Sequence, residues 1–220
     1  MSIPELLQMT LTGINLGVMY ALIAVGLTLI FGVMRIIQYA HGEMYMLGAF
    51  VLYYWTEKFA MPYWLGILAS FIVIFALGAV LQIVLFRPLH GKNILNSLAV
   101  SLGLVFIISS TGQIFFGTTV KGIDSVVTGG LVLGFVYFSY ERLIITVVAT
   151  IIIFSLWVFL KKTKTGTAIR AVSEDPDAAA LQGIQTQRIH WLAFGLGSGL
   201  AAIAGCLMGT LLSIVPSMGF

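Results

Sequence analysis

Eleven residues, Arg35 to Tyr45 (RIIQYAHGEMY), gather Arg35, Gln38, His41, Glu43 and Tyr45 between long apolar runs. An ionisable side chain at the centre of a membrane span costs about 2.5–3.5 kcal/mol on insertion scales, so such groups mark pathways, relays or gates by default. Gln38, His41 and Tyr45 share one face if the segment is an unbroken helix, and Glu43 then points elsewhere. Gly42 sits between the two ionisable groups and weakens a helix there. Two readings fit. The cluster lines a pathway or gate, or it lies at the membrane interface with Arg35 reaching water and Glu43 paired. Asn15 in the first apolar run joins the pathway candidates, although a buried Asn also serves as a helix–helix hydrogen bond. Ser97 and Ser101 share a face that close packing alone would explain.

A second set of polar groups lies in one loop. Lys161 to His190 is 30 residues long and holds 8 of the 19 charged side chains. Asp175 can accept from the first free amides of a helix, Pro176 suits its first position, and Asp177 complements its positive end. Ala178 to Gln182 favour helix, and Gly183 is a natural stop. The spacing predicts a helix of about seven residues, too short to be stable alone in water. It therefore either leans on another surface or is a helical turn in a solvated linker.

Composition says what must hold these groups. Hydrophobic residues make up 60% and charged residues 9% of the 220, with mean hydropathy +1.07. Soluble domains carry about 25% charged residues. The chain is therefore expected to be an all-α, polytopic transmembrane bundle forming a single domain over 1–220. A helix needs about 20 apolar residues to cross the hydrocarbon. Six runs qualify, at roughly 6–31, 36–56, 63–86, 94–116, 142–160 and 191–212. The first two leave almost no room for a turn, which a broken or re-entrant segment at 32–43 would solve. Irregular backbone at that depth is tolerated only where it is buried or lines a cavity.

Lys and Arg accumulate on the cytoplasmic side. Six alternating spans put Arg35, Arg87, Lys92 and the 161–190 loop together, which gathers 8 of the 11 basic residues. That side is expected to be cytoplasmic, with the N-terminus outside and no cleavable signal peptide. The outside segment 117–141 has Gly122, Gly129, Gly130 and Gly134 among β-formers such as Val126, Val127, Phe135, Val136 and Tyr137. It reads as a hairpin over the outer mouth rather than a span. Gly13 and Gly17, Gly195 and Gly199, and Gly205 and Gly209 are spaced for close helix packing inside one bundle, or for a seam between two copies.

Several chemistries are excluded. There is no GxxxxGK[ST] phosphate loop and no HExxH. Lone Cys206 forms no intrachain disulfide or thiolate cluster. His41, His90 and His190 are far apart in sequence and form no metal motif. The dispersed basic residues give no nucleic-acid footprint.

Taken together, GLTLIFGVMRIIQYAHGEMYMLGA at 26–49, RPL at 87–89, KTKTGTAIRAVSEDPDAAALQGI at 162–184 and the glycine-rich helix after Trp191 resemble the permease subunits of bacterial branched-chain amino acid ABC importers. The resemblance runs from about Gly13 to Phe220. It implies that the loop docks on an ATPase, with Arg170, Asp175, Asp177, Ala179 and Gly183 as coupling positions. His41 and Glu43 match the family motif. The implied partners are a second permease subunit, two cytoplasmic ATPases, an external substrate-binding protein and lipid. ATP and Mg would act on the ATPases, with no cofactor in this chain. The implied cargo is a branched-chain or other small amino acid, with urea or short amides as alternatives. Family members continue for further transmembrane helices, so the chain is expected to lack a C-terminal part. The rivals from other classes are an ion-coupled carrier or channel relaying protons through His41 and Glu43, and a non-transporting membrane scaffold.

Overall fold

The computed structural model describes residues 3–123, 127, 129–133 and 136–219. Its helices are α1 (Ile3–Met34), α2 (His41–Glu57), α3 (Tyr63–Leu81), α4 (Ile94–Phe116), α5 (Tyr140–Lys162), α6 (Lys164–Glu174), α7 (Pro176–Leu181) and α8 (Thr186–Leu211). Beyond Leu81, α3 loosens into a π-helical turn at Gln82–Phe86 and a 3₁₀ turn at Arg87–Leu89. The protein is an all-α bundle, as its composition requires.

Five stretches are long and apolar enough to cross a membrane: Glu5–Met34, Tyr63–Leu89, Ile94–Phe116, Tyr140–Lys162 and Thr186–Leu211. The second expected span departs from one continuous helix. Its helix begins at His41, not at residue 36, and has only 17 residues. Residues 35–40 are irregular, and Arg35 has φ +53°. A left-handed backbone is uncommon for a residue with a side chain and ends α1 there. Gln38 therefore does not share a helix face with His41 and Tyr45.

The chain re-enters the bundle at this break. His41 Nε2 lies 3.2 Å from the carbonyl oxygen of Ile23. Ile23 is eleven residues before the end of α1, about 16 Å up its axis. The irregular segment thus climbs back beside α1, and α2 starts at mid-depth.

The central element is α8, packed against α1, α2 and α3. Most of its residues from Ile189 to Gly209 are buried. Apolar attraction between helices is weak in lipid, so close backbone approach must hold them. Gly197 meets Gly26 and Ile30 of α1, and Gly205 meets the Tyr45 carbonyl of α2. Gly195 and Gly199 receive Phe75 and Phe71 of α3. These glycines pack within the bundle. Gly13 and Gly17 differ, because a side chain at either would meet nothing within 4 Å.

The polar loop is more ordered than a linker. Thr163 Oγ1 accepts from Gly166 N–H at 2.9 Å and starts α6, which the sequence reading did not anticipate. Ile169 and Val172 of α6 are buried in an inner apolar cluster with Val33, Ile36 and Phe194. Asp175 Oδ1 accepts from Asp177 and Ala178 N–H at 2.9 and 3.0 Å, and Gly183 ends the turn with φ +82°. At the opposite end, β1 (Gly130–Leu133) and β2 (Val136–Ser139) form an antiparallel hairpin with Gly130 opposite Ser139. The hairpin lies against α1 and α5. Val126, Gly134 and Phe135 of the expected hairpin lie outside the described residues.

Candidate functional site

The re-entrant segment and α1 border an open cavity of about 500 Å³ lined by Ile23, Leu27, Phe31, Ile36, Gln38 and His41, among others. That volume lies in the range of small-molecule sites, and its lining is apolar with few polar groups, as such sites usually are. Gln38 is 2% exposed, and neither amide atom has a hydrogen-bond partner among the described residues. His41 is buried and uses only Nε2, on the Ile23 carbonyl, which leaves Nδ1 without a partner among the described residues. Unpaired polar atoms in an apolar wall each cost about 1–3 kcal/mol, and a polar ligand can satisfy them.

Glu43 faces the other way. It is 1% exposed, and its Oε1 accepts from Ser109 Oγ of α4 at 3.1 Å. Its Oε2 has no partner among the described residues. The chain after α8 folds back so that Gly219 packs on the Glu43 carboxylate and on Gly42. His41 and Glu43 therefore engage different neighbours, α1 and α4. Tyr45 is buried, and its carbonyl abuts Gly205.

Asn15 is not brought to the cavity. Its Nδ2 donates to the Arg142 carbonyl at 3.0 Å and to Thr146 Oγ1 at 2.6 Å, tying α1 to α5.

Ser101 carries more than packing. Its Oγ accepts from Tyr39 N–H at 2.5 Å and from Ala40 N–H at 3.3 Å, which satisfies the irregular backbone just before α2. Ser109 and Gln82 were not singled out from the sequence. Ser109 lies two helical turns beyond Ser101 on the same face of α4, a repeat that was readable. Gln82 is 1% exposed with both amide atoms unpartnered among the described residues, at the start of the π-helical turn. Such turns often mark functional sites, but they cannot be read from a single sequence.

The cavity wall is tied to the polar loop. Arg35 Nη2 donates to the Glu174 carbonyl, the last of α6, at 3.4 Å. A cation is favoured at that end of a helix. Asp175 follows directly and caps α7. Of the other loop candidates, Arg170 borders a second cavity of about 280 Å³ between α1, α5 and α6. Asp177 and Gly183 are exposed. Ala179 is 4% exposed and packs into the chain's own inner cluster, whereas its neighbour Leu181 is 88% exposed. The outward apolar group on α7 is therefore Leu181.

Comparisons with known proteins point to one family. The family described as the branched-chain amino acid transport system permease component matches residues 9–220. The high-affinity branched-chain amino acid transport system permease protein BraD of Pseudomonas aeruginosa is 32% identical over 97% of this chain and 74% of its own length. LivH of Escherichia coli K12, a permease protein of the same description, is 30% identical over the same shares. The probable LivH of Methanocaldococcus jannaschii is 27% identical over 90% of this chain and 64% of its own length. No solved structure matches. With the whole bundle covered by these matches, the chain belongs to the branched-chain amino acid transport permease family, as a multi-pass membrane subunit and not an enzyme.

Proposed function

We propose that this chain is the permease half of an ATP-driven importer that moves branched-chain or other small amino acids into the cytoplasm. It would pair with a second permease chain, two cytoplasmic ATPases carrying ATP and Mg, and an external binding protein. The observation that carries the reading is the Arg35–Glu174 hydrogen bond. It joins the exposed α6–α7 corner, where an ATPase would press, to the irregular segment that walls the cavity. Movement of the corner would shift residues 35–40 and change access to Gln38 and His41. An apolar lining with a few polar atoms suits a small aliphatic amino acid. The separate partners of His41 and Glu43 argue against the rival proton relay.

The experiment is uptake of radiolabelled L-leucine into proteoliposomes holding the complete complex, with and without ATP inside and with the binding protein outside. ATP-dependent uptake is expected. Uptake of urea or a short amide in place of any amino acid would overturn the cargo, and uptake without ATP would overturn the class.

Two further outcomes are expected. The α6–α7 corner faces the cytoplasm and the N-terminus lies outside, because the basic residues divide 8 to 3. In a Cys206→Ser background, Gln182→Cys should resist an impermeant thiol reagent in intact cells, and Thr118→Cys should react. The reverse pattern would invert the topology. On α7, Leu181→Asp should reduce co-purification of the ATPase by about tenfold or more. Burying a leucine stabilises an interface by about 1.5–3 kcal/mol, and a carboxylate forfeits that. Unchanged co-purification would move the contact off α7.

A further inference from the structure

At the end of the bundle away from α6 and α7, one lysine is held in an unusual way. Lys121 Nζ lies 4.9 Å from the ring centroid of Tyr53 and 5.0 Å from that of Tyr54. It also donates to Tyr54 Oη at 3.2 Å. The two rings stand nearly perpendicular, at 83° with centroids 5.5 Å apart, so they form two walls of a box. Phe116 leans on Tyr54 at 5.5 Å and stacks on Phe50 at 4.2 Å, which fixes the back of that box. The lysine backbone is anchored separately. Lys121 N–H donates to the Ile214 carbonyl at 2.9 Å, and Ile214 N–H donates back at 2.7 Å. Lys121, Tyr53 and Tyr54 are all half-buried.

We propose that Tyr53 and Tyr54 form a binding station for the α-ammonium of a free amino acid, occupied in this structure by the tethered ammonium of Lys121. The two groups are both primary ammoniums, and aromatic faces attract either one through the ring quadrupole. The lysine side chain is a flexible four-carbon stem, so its ammonium can leave while its backbone stays on Ile214. Once out, it is free to meet the carboxylate of the same ligand. The station therefore selects zwitterions over simple amines and simple acids.

This inference rests on the amino-acid reading above, and its test separates the two. Equilibrium binding of tritiated L-leucine is measured on the permease in nanodiscs, without the binding protein. Saturable binding is expected, competed by L-isoleucine and poorly by 4-methylpentanoate, which lacks the ammonium. Tyr53→Leu should weaken binding by about tenfold, and Tyr53→Trp, with the best ring for a cation, should restore it. 3-Methylbutylamine should compete poorly in the wild type and as well as leucine in Lys121→Met, where no ammonium awaits a carboxylate. Thermal unfolding of each variant shows whether it is folded, and the Trp variant keeps the test decisive if the Leu variant is not. Leucine uptake by the complete complex without saturable binding here, or equal binding by Tyr53→Leu and wild type, would overturn the station and leave the transport reading intact. Absence of any amino-acid uptake would overturn both.

Discussion

Gly205→Leu should abolish the folded permease, and Gly17→Leu should leave the single chain as stable as the wild type. A side chain at 205 would run into the Tyr45 carbonyl and sit 3.3 Å from the amide nitrogen of Ala49. Backbone on a neighbouring helix cannot rotate aside as a side chain can. Overpacking costs about 1–3 kcal/mol, and contact with rigid backbone belongs at or above the upper end. The same contact holds α2 in place, and α2 carries His41 and Glu43. Displacing it would take both out of position, so transport should fall with stability. Gly17 faces open space, so a leucine there has no clash to make. Its effect should be confined to assembly, as weaker pairing between permease chains. Unfolding temperature and monodispersity in detergent, with crosslinking for pairing, check both halves. A stable, monodisperse Gly205→Leu protein would refute the packing of α2 on α8.

Glu43→Leu should lower uptake by about an order of magnitude or more, and Glu43→Gln should keep a substantial part of it. The carboxylate accepts from Ser109 and lies against Gly219, so it joins α2, α4 and the returning chain at one point. An amide of the same shape still offers an oxygen to Ser109. A leucine offers none, strands a buried hydroxyl at about 1–3 kcal/mol, and presses a branched group on Gly219. Uptake by both variants in the complete complex, at fixed internal ATP and with a proton uncoupler as control, is the measurement. Complete loss in Glu43→Gln with normal assembly, together with uncoupler sensitivity of the wild type, would establish a titrating role instead.

How far the site was legible from sequence varies residue by residue. The cap Asp175–Pro176 and the stop at Gly183 were readable, because capping and left-handed turns are decided within four or five residues. The broken segment near 32–43 was also readable, since two apolar runs left no room for a turn. Its direction was not. The return beside α1 rests on Ser101, 62 and 61 residues away in sequence from Tyr39 and Ala40, whose amides it receives. The pairing of Glu43 with Ser109, and the separation of His41 from Glu43, depend on which helix lies on each side of α2.

The glycines show the division most clearly. Gly13 and Gly17 have the same spacing as Gly195 and Gly199, yet one pair faces outward and the other packs on α3. Hydropathy and length alone determined the membrane class and the approximate place of five of the six expected crossings. These follow from transfer of each segment into lipid, which depends only on its own residues. The tertiary structure decided which face of each helix is inside. Lipid tails are as apolar as leucine, so an inward face and a lipid-facing one can share a composition, and only close backbone contacts between helices tell them apart.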